Sequence, residues 1–488
     1  MGELKHRGLR PDVQPGRIES VEGELLPEVP RLSTDELDRL EEDYHLMASK
    51  GWPPARAGVA PATAPAPAQV RAYVLERYRV DLGSEFMGRP VAHPFGKASG
   101  QLSLAAHQVE EDGAAGLAFV VLKTVIAQDE KGGQGMQEWA IPEARMLLEP
   151  IASRDPRGAP GSGRLGWTIT WKGRGWSGGL ESYLSFVRES LTIGKTCGMV
   201  VVPSCLFYLP GPGESDWHES EYRYTVRRLW EVWQEAADPA SASEPEPAAH
   251  FRSAATPPLL LEKDFSPTLA GSSRAAAREK IVEWMATVPR IVDESARAAG
   301  GAVRLGIKLM NSRFDDDFQV EMVRALMESP HAHLVSSLTY ANRLFDPRKI
   351  AFGKQGAAFG GPDLSARNIR ILTRLRRLEL RGELAPLPPV SATGDVSSGK
   401  RAMEYALRGA STFQIHTFFQ LPNPFYRLES GSKTARALHQ LLFHPAEGLI
   451  AWLLHGGRTL GWRADDGVIR WQTVTSWWRQ EGARYFRG

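Results

Sequence analysis

The stretch PVSATGDVSSGKRAMEYALRGASTFQIHT, residues 389–417, reads as strand, turn, helix and strand in direct succession. Pro389–Thr393 and Thr412–His416 are short, apolar-rich runs, and Ser398–Arg408 between them suits a helix. Two strands joined through a helix lie parallel, because antiparallel neighbours need only a tight turn. The same alternation runs back towards the N-terminus. Further candidate strands fall at Pro94–Ala98, Ala118–Lys123, Met199–Pro203, Leu259–Lys263, Val303–Leu309 and His333–Leu338. Candidate crossover helices are Tyr222–Ala236, Ala275–Ala299, Asp317–Met327 and Ser365–Arg377. Several strands are almost wholly apolar, as parallel strands covered on both faces must be. Eight strand–helix units predict an α/β chain folded as a (β/α)8 TIM barrel, with a doubly wound open sheet as the alternative. In a barrel the chemistry sits where strands end, so the last residues of each run matter most.

The flanks differ from this pattern. Residues 1–80 form an extension with one helix, in which Ser33 and Glu36 stand at capping-box spacing and Leu37, Leu40, Tyr44 and Met47 recur at helical intervals. Its acidic residues Asp35, Asp38, Glu41, Glu42 and Asp43 read as a solvated face, unsuited to a membrane surface. A Pro/Ala linker follows the helix. The barrel is expected over 81–430, interrupted by a low-complexity insertion at 237–258, and 431–488 reads as a C-terminal helical tail. The 488 residues carry 59 Lys+Arg against 57 Asp+Glu, a net charge of +2, which argues against general attraction to nucleic acid or to an anionic membrane. Cys197 and Cys205 are too few for a disulfide framework or a cysteine-held iron–sulfur cluster. No secretory h-region and no membrane-spanning apolar run is visible, so a cytoplasmic protein is expected.

The strand ends carry charge where burial disfavours it. The second strand leaves Lys123 and Thr124 at the mouth, and the fifth ends GIKL with Lys308. A buried lysine is costly unless it meets an anion or an electron-rich ring, although a single one can snorkel to the rim. Later loops place Gly360-Gly361 and Gly394 just before helices, where backbone N–H groups suit a phosphate. Ordinary tight turns use glycine too. Three tempting motifs fail. Gly394-Asp-Val-Ser-Ser-Gly399-Lys400 begins like a P-loop but continues with Arg401 in place of Ser/Thr. Asp315-Asp316-Asp317 suits a helix N-terminus better than a metal. His218-Glu219 lacks the second histidine of a zinc protease.

HPFGKASG (93–100), FVVLKT (119–124), GIKL (306–309), FGGPDLSARN (359–368) and the 391–417 stretch resemble, in order and spacing, the dihydroorotate dehydrogenase family, which includes the flavin domain of dihydropyrimidine dehydrogenase. TWKGRGWSGGLESYL (170–184) is similar to the family's glycine-rich excursion after strand two, and the resemblance runs from about Val91 to Thr417. It implies a barrel holding FMN. Ala98, Ser99, Lys123 and Thr124 would touch the cofactor, Lys308 would lie at the N1/O2 side of the flavin and share in catalysis, and Gly360, Gly361, Gly394, Asp395, His416 and Thr417 would surround the phosphate. Ser266, before Pro267, falls at the family's catalytic base, with Cys205 as a competitor that is better read as buried and inert. Asp395 and His416 replace glycines of the family's phosphate site, and the carboxylate needs to point away or to meet a cation such as Lys400.

The family grips its pyrimidine with asparagines, and by alignment Thr170, Lys263, Thr268 and Thr339 stand there instead, with Asn342 displaced by a few residues. An FMN oxidoreductase acting on a small cyclic or apolar molecule other than dihydroorotate is therefore expected, with Trp167, Trp171 and Trp176 offering cover for a ring. The competing readings are a flavin-free binding or scaffold barrel and an enzyme acting on a phosphorylated substrate. Expected partners are a small-molecule substrate and a second copy of the chain, with neither nucleic acid nor membrane; the electron donor or acceptor is not legible.

Overall fold

The computed structural model describes residues 23–53, 65–140, 145–154, 160–172, 175–237, 258–265, 269, 272–351 and 354–486. Eight parallel strands close on themselves: β1 (Phe95–Lys97), β2 (Phe119–Val121), β3 (Val200–Val202), β4 (Leu259–Asp264), β5 (Val303–Met310), β6 (Val335–Asn342), β7 (Val390–Ala392) and β8 (Ala410–Ile415). Closure is made by β8 against β1, with Phe413, Gln414 and Ile415 opposite Phe95, Gly96 and Lys97. That pairing excludes the open-sheet alternative. Two strands are jogged. β3 breaks at Pro203, which has no N–H for the ladder, and resumes as Ser204–Leu206, the part that pairs with β4. β2 likewise resumes as Val125–Ile126 against Cys205 and Leu206.

A helix follows each strand: Ala106–Ala114, Leu180–Cys197, Glu219–Ala237, Arg274–Ala298, Asp316–Glu328, Pro362–Leu380, Gly399–Ala406 and Lys433–Phe443. Local chemistry fixes where several begin. Ser273, Asp315, Ser398 and Ser432 each accept a hydrogen bond from a backbone N–H three residues on, so the Asp315 cluster and the P-loop-like serine are caps. The N-terminal end of the barrel is plugged by a hairpin, Ser84–Phe86 with Arg89–Val91, whose Phe86 stacks on Phe119 at 4.0 Å. Two further antiparallel hairpins leave the C-terminal end: Arg145–Arg154 with Pro160–Lys172 after β2, and Leu344–Ala351 with Lys354–Phe359 after β6. Neither is legible in the sequence as strands.

The flanks share the barrel's hydrophobic core. The N-terminal helix spans Thr34–Lys50 with the Ser33/Glu36 capping box formed. Asp43, expected in solvent, is buried: it accepts from Tyr78 Oη at 2.6 Å and from Arg77 Nε at 3.1 Å on the helix Ala66–Tyr78. Packing of that second helix, which residue periodicity in the first cannot reveal, decides this. Glu404 accepts the backbone N–H groups of Leu25 and Leu26 and also binds the fully buried Arg408. Val80 pairs with Ile469, tying the extension to the C-terminal region. Among the described residues no helix is long and apolar enough to cross a membrane.

Two buried histidines hold the N-terminal segment, and the bond made by one of them, His455, requires a neutral ring. The Arg31 backbone N–H donates to His455 Nδ1 at 2.9 Å, and His439 stacks on Tyr44 at 4.6 Å while bonding the Tyr44 carbonyl at 3.0 Å. Burial pushes both rings down to about 4. A histidine with a depressed native pKa stabilises fully above the unfolded value near 6.5, and the contribution is lost progressively as pH falls from there towards 4. Thermal unfolding followed by circular dichroism is therefore expected to move several degrees lower between pH 7 and pH 5. In His455→Gln the loss over that window is expected to shrink, because the acceptor no longer titrates.

Candidate active site

A cavity of about 490 Å³ opens at the C-terminal end of the barrel. Its size lies within the range typical of cofactor and ligand sites. Ala98 and Ser99 follow β1, Lys123 and Thr124 follow β2, Lys308 lies near the end of β5, and Gln414, Ile415 and His416 end β8; all of them line it. The loops before the helices Pro362–Leu380 and Gly399–Ala406 bring Gly360, Gly361, Gly394 and Asp395, and Thr417 completes that side. Sequence reasoning thus gathers Ala98, Ser99, Lys123, Thr124, Lys308, Gly360, Gly361, Gly394, Asp395, His416 and Thr417 at one cavity. The hairpin after β2 roofs it with Pro150, Leu165, Trp167 and Ile169, and Trp167 packs edge-on against Phe425 with centroids 5.0 Å apart.

The floor is electropositive. His416 is partly buried at the cavity wall, and desolvation together with the charges of Lys123, Lys97, Lys308 and Arg343 drives its imidazole down to about 3, so the ring is neutral at physiological pH. Gly100 leaves the room this ring occupies, since a Cβ there would stand 2.5 Å from His416. Behind the floor, Lys97 is paired with Asp112. Ser99 Oγ, Thr124 Oγ1 and Ser204 Oγ form a chain of hydroxyls at 2.9 and 3.0 Å.

The helix Pro362–Leu380 starts at Gly361 with no side-chain cap from that residue, and its N-terminal end faces the cavity lined by Gly360, Gly361 and Leu364. Gly394 has φ 97° and Gly361 φ 114°, both left-handed, and a Cβ on Gly394 would sit 2.9 Å from Asn368 Nδ2. Tyr405 Oη and Asn368 Nδ2 hold this loop through the Gly394 and Thr393 carbonyls at 2.8 and 2.9 Å. Two features narrow the cradle. The Gly360 N–H already donates to Thr168 Oγ1 of the roof hairpin at 2.9 Å. Asp395 accepts from Ser365 Oγ at 2.9 Å in the first turn of that helix. Lys400, the cation expected to meet Asp395, instead lies 3.0 Å from Glu24. A helix start beside lysines fits a ligand carrying an anionic group, with Asp395 turned into the Ser365 hydroxyl.

The expected substrate contacts separate. Asn342 lines the cavity. Lys263 and Thr339 are buried but do not line it, a correction to the alignment. Thr339 lies deeper in the barrel, donating to Glu262 Oε2 at 3.1 Å. Lys263 follows Glu262 along an alternating strand and so faces the helix layer, its ammonium 4.7 Å from the Phe265 ring centre. Thr170 lies in the roof hairpin, but its side chain is outside the described residues, as is that of Trp171, and Ser266 and Thr268 are wholly outside them. Trp176 packs flat on Phe186, away from the cavity. Cys205 is fully buried, with its thiol pushed well up by that burial. Sequence reasoning missed Arg343, Gln414 and Glu262. A glutamate within LLLEKD carries the same signal as the lysine of GIKL, a charge in an apolar strand.

Fold and site together define a (β/α)8-barrel protein with a roofed, cationic ligand cavity at its C-terminal mouth. Within that class the chain is similar over part of its length to a dihydroorotate dehydrogenase. It is 28% identical over 165 residues to the quinone-type dihydroorotate dehydrogenase of Pseudomonas fluorescens, a match covering 34% of this chain and 47% of that protein. The chain thus spans about half the length of the curated relative it matches. A crystal structure of DHODH from Eimeria tenella in complex with ferulenol aligns with 92% of this chain and 96% of its own, at 14% identity and a TM-score of 0.46. No protein-family model matches.

The Gly394 loop supplies a direct test of the cradle. Gly394→Ala is expected to cost about 1–3 kcal/mol, the usual range for a side chain forced into a strained backbone, read as a lower urea midpoint at unchanged slope.

Proposed function

We propose that this chain is an FMN-dependent oxidoreductase that passes hydride between flavin N5 and a small cyclic or apolar substrate other than dihydroorotate, a reaction of the CH–CH class. The observation that carries the reading is the meeting, in one cavity, of Lys123 and Lys308 with the Gly360-Gly361 and Gly394 loops at a helix start. In this reading Gly361, Gly394 and Thr417 hold the phosphate through backbone groups, and Ala98, Ser99 and Lys123 hold the ring. Bound FMN would supply the hydride acceptor or donor. Lys308 places positive charge where negative charge develops. The Ser99, Thr124 and Ser204 hydroxyls orient one another, and the roof hairpin with Trp167 keeps water out. Ser266, assigned by resemblance, takes the proton from the substrate carbon as base or relay.

The substrate reading rests on which of the described side chains line the cavity wall. With Lys263 and Thr339 directed elsewhere, Asn342 is the one residue of that expected set among the described side chains that lines the cavity. A pyrimidine edge would then leave several polar atoms unpaired, each costing about 1–3 kcal/mol. Trp167, Ile169, Phe418 and Phe425 suit an apolar ring instead. A second reading draws support from Asp395 and from the Gly360 N–H taken by Thr168: a flavin-free barrel that binds or transforms another anionic ligand.

The visible spectrum separates the two. Protein purified and reconstituted with FMN is expected to be yellow and to melt at a higher temperature than without it; a colourless protein unaffected by FMN overturns the flavin reading. Lys308→Ala is expected to weaken FMN binding or lower its reduction potential. Ser266→Ala is expected to keep its flavin and to slow substrate-dependent flavin bleaching by roughly 10²-fold or more in stopped flow. Rapid bleaching of the wild-type protein by micromolar dihydroorotate would overturn the substrate reading.

A further inference from the structure

A carboxylate stands directly behind the lysine of the cavity floor. Glu262 on β4 is 1% exposed and does not line the cavity. Its Oε2 is held by two neutral donors, Gln414 Nε2 at 2.5 Å and Thr339 Oγ1 at 3.1 Å. Its Oε1 lies 3.6 Å from Lys308 Nζ and makes no hydrogen bond among the described residues. Lys308 Nζ reaches Gln414 Oε1 at 3.4 Å. Both lysine contacts are longer than an ordinary charge-assisted hydrogen bond, whereas the carboxylate is fixed firmly from β6 and β8. The negative charge is therefore anchored independently of the lysine, and the ammonium stands between it and the cavity.

We infer that Glu262 is a positioning residue that sets, through Lys308, how much positive charge the cavity floor presents to its ligand. It keeps a compensating charge inside the barrel and attenuates the pull of Lys308 on an anionic ligand. Where the ligand is FMN, which rests on the function proposed above, the attenuation falls on the reduced, more negative ring. Glu262 thereby lowers the potential at which the bound flavin is reduced. Thr339 acts on the same charge: its hydroxyl draws the carboxylate away from the lysine.

The test is FMN affinity by fluorescence quenching together with the two-electron midpoint potential of the reconstituted full chain at pH 7. Glu262→Gln keeps the shape and an acceptor for the Gln414 and Thr339 donors. It is expected to retain FMN and to favour the reduced over the oxidised flavin at least tenfold more than wild type does, a rise of about 30 mV for a two-electron couple. Combined with Lys308→Met, the same substitution is expected to change the potential much less, because the ammonium it attenuates is gone. An unchanged or lower midpoint in flavin-loaded Glu262→Gln overturns the role of Glu262 and leaves the flavin reading standing. A wild-type protein that takes up no FMN overturns the flavin reading itself, and this inference with it. Should Glu262→Gln fail to fold, Thr339→Val serves. Without the hydroxyl the carboxylate leans on Lys308, and the preference for reduced flavin is expected to fall about threefold, about 14 mV by the same constant. No shift in that variant overturns the inference.

Discussion

Placing the ammonium of Lys308 inside a closed barrel is the constraint around which this molecule is arranged. At 2% exposure the group has little water, and an isolated buried charge is among the most costly features a fold can carry. The barrel meets the cost from two directions. Below, Glu262 supplies a counter-charge that Gln414 and Thr339 hold in place across β4, β6 and β8. Above, the cavity leaves the ammonium facing a ligand. Only closure of β8 on β1 lets residues so far apart in sequence share one network.

The same closure explains the distribution of the remaining charges. Lys97 is matched by Asp112, and Arg408 by Glu404, all buried; Thr434 of the helix after β8 joins the first pair and the Leu25–Leu26 backbone the second. A charge pair within the barrel layers thus recruits the N-terminal segment as a partner. The extension completes the polar bonding of the barrel as well as its core. His416, by contrast, stays neutral amid the cations, which removes one more positive charge from a floor already carrying several.

The roof shows how function is grafted onto this scaffold. The hairpin after β2 crosses the mouth and anchors to the phosphate-side loop through the Thr168–Gly360 hydrogen bond, while Trp167 meets Phe425 beyond β8. The roof is also the most apolar part of the wall, so the polar floor and apolar cover impose an orientation on whatever binds.

The sequence by itself determined the alternation of strands and helices, and with it the barrel, because apolar runs buried on both faces and capped amphipathic helices are local signals. It also marked Lys123, Lys308 and the glycine loops, since a charge in an apolar run or paired glycines before a helix stand out without knowledge of their neighbours. What it left open depended on contacts between distant segments. The roof hairpins carry no clean period-two pattern across their length. Asp43 reads as solvated until the helix Ala66–Tyr78 packs over it. Lys263 and Glu262 are adjacent charges, and only the pleat of β4 in a closed barrel decides which faces the interior and which the helices. Tertiary structure decided these points because burial, and hence the partner a polar group must find, is a property of the closed assembly of strands and helices rather than of any one segment.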